Sequence, residues 1–240
     1  MTAQNQTITE SYIGAGILYV NGRDVGNVSE LKFSIDQEEK SQKNYRGGGG
    51  NVASITRITG VTLEGKFHSF NNENLALALR GVVENLETES ITDEPVSAVV
   101  GGLTATSHMI DTSKTITVKN GDVTVAVEKY DVTPAGIKLR ADSGVTDDTA
   151  LKISYNTRQR SVLQAAVNSG AEWSVVFDGM NEAENGKSCV IKAYRWKPSP
   201  TDGLDLISDD FGEFTIKGQV LADVTRPVGK SQFFTREYAK

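Results

Sequence analysis

Apolar and polar residues alternate along most of this chain, and this alternation limits its fold more than any other feature. Leu31, Phe33 and Ile35 are separated by polar residues, and the segment 61–67 repeats the arrangement. Side chains of a β-strand point alternately to its two faces, so such a segment buries one face and exposes the other. The pattern predicts antiparallel strands. Tight turns are predicted at Asn21-Gly22, Asn120-Gly121, Asn185-Gly186 and Asp202-Gly203.

The second half of the chain, from Glu172 to Arg226, is rich in short strands and poor in residues suited to chemistry. Its predicted elements are a strand with Trp173, Val175 and Phe177, a turn at 178–181, and strands at 189–196 and 211–221. Residues 162–167 have the composition of a helix but no clear cap, and we interpret them as a strand. This half is typical of a scaffold, which favours a protein that assembles.

One helix is predicted to interrupt the strands, over about 71–81. Asn71 or Asn72 can cap its first turn, and Gly81 supplies a left-handed stop. Its leucines lie on more than one side of the helix, so we expect one side to pack on a sheet and another to meet a neighbouring subunit. The candidate interface residues are Leu75, Leu77 and Leu79.

Two segments do not fit a core. The first is a long polar N-terminal arm over 1–15, and the second is a predicted loop over 37–51 that ends in four glycines. Connections longer than about 12 to 15 residues are usually functional or disordered. We interpret the loop as a contact arm, the alternative being a disordered, solvated loop. The candidate contacts between subunits and between rings are Glu38, Glu39, Lys40, Lys43, Tyr45 and Arg46.

Composition excludes several classes of protein. The formal net charge is -6 and no basic, aromatic-interleaved patch is present, which disfavours a reader of nucleic acid. The N-terminus lacks the pattern of a secretory signal, and no apolar run approaches the roughly 18 residues of a membrane helix. The one cysteine, Cys189, fits a reducing compartment. We therefore expect a cytosolic product that does not contact a membrane.

The chain has the length of one large β domain or two small ones. No long linker divides it, so we predict a single β domain over 1–240. The segment 111–157 contains several predicted strands of its own. It is either an inserted β subdomain or a part of the same sandwich.

Residues for catalysis or metal binding are sparse. The two histidines, His68 and His108, lack a neighbouring cysteine or carboxylate at ligand spacing, and no Gly-x-Ser-x-Gly elbow is present. The run Gly47–Gly50 leads into a strand instead of a helix, so flexibility explains it better than phosphate binding. We predict a protein that is not an enzyme and that has no cofactor or metal.

Four stretches follow one another in an order typical of one protein family. The first two are Gly-Asn-Val-Ser-Glu-Leu at 26–31, followed by a strand and a long charged loop, and the passage from strand to helix at 61–81. The other two are Phe-Asp-Gly-Met-Asn at 177–181 and Leu-Ile-Ser-Asp-Asp-Phe-Gly at 206–212. In the order and spacing of these stretches, the chain resembles the tail tube (major tail) proteins of long-tailed bacteriophages. The resemblance runs through most of its length.

This resemblance implies an antiparallel β-sandwich or half-barrel flanked by one helix. Six copies would form a ring, and stacked rings would form the tube through which DNA leaves the capsid. The implied partners are other copies of the chain, other tail proteins at the tube ends, and DNA in transient, non-specific passage. The implied location is the virion tail, assembled in the cytoplasm of the bacterial host.

The net charge suggests a property of such a tube. An acidic lumen would repel DNA phosphates, so that the DNA slides without binding. The candidate lumen residues are Asp36 and Glu64, which occupy polar positions of two strands.

Two alternatives remain at this point. A carbohydrate- or host-binding β-module would also be rich in strands, but it is expected to show aromatic residues clustered on loops, whereas Trp173 and Trp196 fall inside predicted strands. The tube protein of a contractile secretion device is the second alternative.

Overall fold

A computed structural model describes residues 11–239, and its architecture is mainly β. Strands make up 52% and helices 6% of the structure, with antiparallel sheets that do not close into a barrel. The prediction of a mainly β fold with one flanking helix is confirmed, and the sheets are consistent with a β-sandwich. Most of the predicted N-terminal arm, residues 1–10, lies outside the described residues. Ser11 to Ile13 form no strand, and the first strand begins at Gly14.

The helical and extended elements have the following bounds. The α-helix α1 spans Asn72–Leu79, and short 3-10 turns lie at Val127–Lys129 and Glu182–Glu184. In chain order the strands are β1 (Gly14–Val20), β2 (Arg23–Asp24), β3 (Val28–Lys43), β4 (Asn51–Phe67), β5 (Val82–Leu86), β6 (Ser90–Ser97), β7 (Thr104–Ala105), β8 (Thr117–Asn120), β9 (Val123–Thr124), β10 (Tyr130–Thr133), β11 (Gly136–Leu139), β12 (Ala150–Asn156), β13 (Arg160–Gln164), β14 (Trp173–Asn181), β15 (Lys187–Pro198), β16 (Phe214–Val220) and β17 (Phe234–Tyr238).

The chain divides into two compact units. The first unit contains the residues up to Val83 and those from Leu163 onward, and the second unit is Glu84–Val162. Strands β5 and β13 pair with each other where the chain leaves and re-enters the first unit. The predicted subdomain 111–157 falls within the second unit, which begins 27 residues earlier in the chain, at Glu84.

The first unit is built on one large antiparallel sheet. Its strand order is β2-β1-β14-β15-β16-β4-β3, and β17 pairs with β15 beside this path. The order joins strands that are far apart in sequence, since Leu18 of β1 lies opposite Phe177 of β14 and Phe67 of β4 lies opposite Phe214 of β16. The alternation in the sequence decides which residues of each strand face the core.

The core of the first unit lies between one face of this sheet and the helix. Buried side chains from the sheet include Leu63, Trp196 and Ile216, and the helix contributes Leu77 and Ala78. Over residues 61–67 of β4, the odd-numbered positions, predicted to be the apolar face, are the buried ones. Opposite them, the even-numbered residues form a polar face of the sheet.

The turn predicted at 178–181 is wrong, because these residues continue β14. Asp178 pairs with Val190, and the chain reverses later, at Asn185 and Gly186, which both have positive φ. Gly179 instead allows a close approach. A Cβ on this residue would lie 2.9 Å from the carbonyl oxygen of Ala15 on β1. The Asp-Gly pair thus serves the packing of paired strands and not a reversal of the chain.

The helix agrees with its predicted start but ends differently. The side chain of Asn71 accepts a hydrogen bond of 2.8 Å from the backbone N of Asn74, which caps the first turn. The left-handed residue at the other end is Arg80, with φ of 50°, and not Gly81. Gly81 is required for space, because a Cβ there would lie 2.6 Å from Cδ1 of Leu163.

The second unit has its own sheets and its own core. One sheet has the order β6-β12-β8-β9 and another has the order β10-β11-β7. Ile110, Ile137, Leu151 and Ile153 are among its almost fully buried residues. Strand β9 is short, because it stops at Thr124 and a 3-10 turn follows at Val127–Lys129.

Candidate assembly surface

The segment predicted as a loop over 37–51 is largely strand, so that prediction is wrong. Strands β3 and β4 pair along 16 and 17 residues, and only residues 44–50 form the connection. The pairing of β4 with β16 ends at Thr62, so beyond this point β3 and β4 pair only with each other. We call residues 35–59 the hairpin arm. Every residue of the arm except Asn44 is exposed.

The turn at the end of the hairpin arm is well defined. The side chain of Asn44 donates a hydrogen bond of 2.8 Å to the carbonyl oxygen of Gly47 and accepts one of 2.9 Å from the backbone N of Arg46. All four residues of the run 47–50 have φ between 71° and 96°. Only glycine adopts this conformation at little cost, so the run is a requirement of the turn.

The register of the hairpin arm places the predicted contact residues on different sides. Glu38 lies opposite Arg57 and Lys40 opposite Ile55 on one face, while Glu39 lies opposite Thr56 on the other. The Nζ of Lys40 is 3.7 Å from a carboxylate oxygen of Glu38. The remaining candidates lie at or beside the turn: Lys43, Tyr45 and Arg46.

The hairpin arm also exposes apolar residues that the sequence analysis did not select. These are Ile35, Val52, Ile55 and Ile58, each more than half exposed. With Tyr45, whose exposed fraction is 87%, they distribute apolar surface over both faces and the turn. The signal in the sequence is that Val52, Ile55 and Ile58 recur every three residues, so they do not share one face as core residues of a strand would.

The lumen candidates Asp36 and Glu64 lie on the polar face of the sheet. Both occupy even positions, and they are separated by four residue positions along the β3–β4 ladder, about 13 Å. Glu64 lies opposite Lys32 on one side and Lys217 on the other, and its carboxylate is 3.9 Å from the Nζ of Lys217. An ion pair with Lys217 therefore offsets part of its charge, whereas Asp36 is exposed.

The three leucines proposed as a helix interface contribute to the core of their own unit. Leu77 is buried, and Leu75 and Leu79 are half-buried and pack against the same core. Packing on this core accounts for these side chains within one chain, and the expectation that the helix meets a neighbouring subunit stays a prediction. A polar side chain that the sequence analysis missed, Asn74, is fully buried beside them.

Asn74 connects the helix to the turn region before it. Its Nδ2 donates to the carbonyl oxygens of Val25 and Ser69, at 2.7 and 2.9 Å, and its Oδ1 accepts 2.7 Å from Arg23. All of its hydrogen-bonding groups are engaged, which a buried amide requires. In the sequence, an asparagine in the first turn of a helix suggests only a capping role, so the buried position of Asn74 could not be predicted from it.

The ring of His68 has a structural partner, and the backbone of His108 takes part in a local turn. His68 Nε2 lies 2.7 Å from the hydroxyl of Ser29, and the carbonyl oxygen of His108 accepts a hydrogen bond from Thr106. Among residues 11–239, no group of three or more His, Cys, Asp or Glu side chains is arranged to hold a metal ion. The same residues contain no helix with the length and apolar character needed to cross a membrane.

Perturbed ionisable groups in the second unit belong to polar networks. Hydrogen bonds from the Ser113 hydroxyl and the Arg158 guanidinium lower the pKa of Asp111 to about 2. Burial, together with a hydrogen bond to Glu94, raises the pKa of Tyr155 to about 12. Glu94 of β6 also accepts a hydrogen bond of 2.7 Å from the backbone N of Ser107, so this carboxylate holds a loop against the sheet.

Residues 11–237 match the sequence model of a family described as "Protein of unknown function UCP028589". The match covers almost the whole chain. The protein belongs to the family UCP028589. No curated protein matched the chain. In this member of UCP028589, the features that point to a function are the exposed hairpin arm and the open edge of the main sheet.

Proposed function

We propose that this protein is a structural phage virion protein that self-assembles into stacked hexameric rings, which form the tail tube for DNA delivery. The observation that carries the proposal is the hairpin arm, a two-stranded ribbon exposed on both faces. An isolated two-stranded hairpin is marginally stable in water. A ribbon of this length, with apolar residues on both faces, fits a segment that is covered when subunits assemble.

The long edge of the main sheet supports the same function. Strand β3 ends the strand order and, among the described residues, no strand pairs with its outer edge. Such an edge presents backbone N–H and C=O groups on which another chain can add a strand. In a ring, each copy supplies the strand that completes its neighbour, so the edge is satisfied by closure.

The polar face of the sheet suits a surface past which DNA moves. The row Lys32, Glu64 and Lys217 alternates in charge, and the net charge of each copy is -6. Tight DNA binding needs many uncompensated cations along the phosphate backbone. A face of mixed charge on an acidic subunit offers few, so the lumen we propose combines compensated pairs with exposed acids such as Asp36.

Electron microscopy of the purified protein tests the assembly directly. We expect negative-stain images to show rings or tubes and sedimentation velocity to show a species of six copies or more. A protein that stays monomeric at high concentration would rule out a tube and would favour a binding module.

A shortened arm tests the role of the hairpin. Gln37 and Ile58 lie opposite each other, so a two-residue Asn-Gly turn can join them and replace 38–57 without disturbing the ladder below. We expect this variant to fold and to form at most single rings. Tubes of normal length from the shortened chain would contradict the role of the hairpin arm.

A matched control keeps the full length of the arm and all of its charges. Ser41→Thr lies on the arm and preserves the hydroxyl, so tubes are expected from this variant. Thermal unfolding of both variants should match the unchanged protein within a few degrees, because the arm contributes nothing to the buried core of the first unit.

A further inference from the structure

A pocket of about 330 Å³ opens in the first unit beside the helix. It lies between α1, the beginning of β14, the end of β15 and the residues 168–171. We call it the helix pocket. Its apolar lining includes Val20, Leu77, Val83, Ala171, Trp173 and Pro198. This volume is at the lower end of the range for ligand pockets, roughly 300–1,000 Å³, and suits one or two large side chains.

Three cations stand at the helix pocket: Arg23, Arg80 and Lys197. The guanidinium of Arg23 donates to Oδ1 of Asn74 at 2.7 Å, and that of Arg80 donates to the carbonyl oxygen of Pro198 at 3.2 and 3.3 Å. These acceptors are neutral, so they orient the guanidinium groups without offsetting their charge.

The charge of the helix pocket is therefore positive. Among the described residues, none of the three cations has a carboxylate within ion-pair distance. Glu73 is the one acidic residue of the lining, against three basic ones. An occupant of this pocket should combine large apolar side chains with negative charge.

Residues 205–211, which we call the acidic loop, have this combination. Its apolar side chains are almost completely in solvent, with exposed fractions of 98% for Ile207 and 100% for Phe211. Its acids are Asp205, Asp209 and Asp210, and none of them has an ion-pair partner within residues 11–239. Apolar residues exposed to this extent within one short segment are typical of a binding site.

We infer that the acidic loop of one copy inserts into the helix pocket of the next copy, with Phe211 on the apolar lining and the aspartates beside Arg23, Arg80 and Lys197. The inference deepens the proposed function and rests on it. The loop and the pocket are different surfaces of one chain, so the contact is heterologous and propagates from copy to copy until a ring closes. An apolar anchor within a charged rim is the usual arrangement of an interface.

Exchange of charge across the contact tests the inference. One variant carries Lys197→Glu, and a second carries both Asp209→Lys and Asp210→Lys. Each variant should raise the concentration needed for assembly by roughly tenfold or more, since like charges then oppose each other. A chain with all three changes should recover most of the assembly. A loss of fold would not be rescued in this way.

The apolar anchor is tested by Phe211→Ala, with Val228→Ala as the matched control. Both side chains are fully exposed in the single chain, so neither change should alter thermal unfolding. We expect Phe211→Ala to weaken assembly by about tenfold or more and Val228→Ala to leave it unchanged. If the unchanged protein forms rings and Phe211→Ala forms them equally well, the inference fails while the proposed function stands.

Cross-linking identifies which copy supplies the loop. Chains with Ser169→Cys are mixed with chains with Phe211→Cys, and the native Cys189 is buried and stays in both. An oxidised dimer that appears only in the mixture supports insertion between copies. If the mixture gives no dimer and one chain with both changes closes an internal disulfide, the loop occupies its own pocket and the inference is overturned. A protein that forms no assemblies at all contradicts the proposed function as well.

Discussion

At the scale of single residues, a buried asparagine and a glycine between two strands contribute to the packing of the first unit. Asn74 satisfies two carbonyl oxygens and one guanidinium from a buried site, and Gly179 lets β1 approach β14. Neither role follows from the local sequence. Asparagine and glycine are ordinary turn residues, and Arg23 and Val25 around Asn74, like Ala15 beside Gly179, lie far away in the chain.

The first prediction concerns Gly81→Ala. The added Cβ would lie 2.6 Å from Cδ1 of Leu163 and 2.7 Å from the carbonyl oxygen of Gln164, so the backbone must shift. We expect a loss of about 1–3 kcal/mol in the free energy of unfolding, measured with urea. The control is Gly203→Ala, where the added atom meets nothing within 4 Å. Equal stabilities of the two variants would show that the close approach has no energetic weight.

A second prediction concerns pH and Asp111 in the second unit. Its folded pKa of about 2 lies below the unfolded value of about 3.9, so its contribution is complete above about pH 5 and is lost as pH falls towards 2. Asp111→Asn should lower the unfolding temperature at pH 7 and should reduce the loss of stability between pH 5 and pH 2. Calorimetry measures both effects.

The control for this prediction is Asp122→Asn, because Asp122 is exposed and has no ion pair among residues 11–239. This variant should keep the pH profile of the unchanged protein. A profile for Asp111→Asn that matched the control would mean that the hydrogen bonds from Ser113 and Arg158 do not favour the charged form.

At the scale of elements, the hairpin arm shows which part of a strand the local sequence predicts and which part it does not. The alternation of β3 up to Ile35 predicts its position in the sheet, and the charged residues beyond it suggest a loop. In the structure the ladder continues to Lys43, because the two strands satisfy each other's backbone without a core. The alternation of apolar and polar side chains indicates which face of a strand is buried. A strand that is exposed on both faces therefore shows no such alternation.

The third prediction is that backbone amides of the hairpin arm exchange with deuterium much faster than those of β14 and β15 in the unassembled chain. Exposed ribbons open locally at low cost, whereas the central strands open only with the whole unit. Assembly should slow exchange in 37–43 and 52–58. Mass spectrometry of peptides measures this, and the peptides of β12 are the control. Unchanged exchange in the arm on assembly would argue that no neighbour covers it.

At the scale of the whole molecule, the chain consists of two compact units, each with its own hydrophobic core. The expectation of a single domain over 1–240 rested on the lack of a long linker. Strands β5 and β13, which pair with each other, cross the two boundaries of the second unit in place of a linker. Composition does not change at such a junction, so the sequence alone left open whether 111–157 is separate.

The fourth prediction is that residues 84–162 fold when expressed alone. Their core holds fully buried side chains such as Leu151 and Ile153, so we expect dispersed amide signals in NMR spectra and one cooperative transition on heating. In this fragment Leu151→Ala should lower the free energy of unfolding by about 2–5 kcal/mol. Lys152→Ala, at the exposed neighbouring position, is the control and should change it little. A fragment without dispersed signals would show that the second unit needs the first.

The sequence by itself determined the class of the fold, the position of the helix and the face that most strands bury. These follow from local chemistry, because the alternation of side chains and the capping of a first turn involve neighbours in the chain. Only the tertiary structure decided that the segment 37–51 is a hairpin, that Asp178-Gly179 continues a strand, and that the helix leucines pack on the core of their own unit. It also brought three cations around an apolar pocket. Each of these depends on partners distant in sequence, and a local pattern carries no information about which distant strand or loop becomes a neighbour.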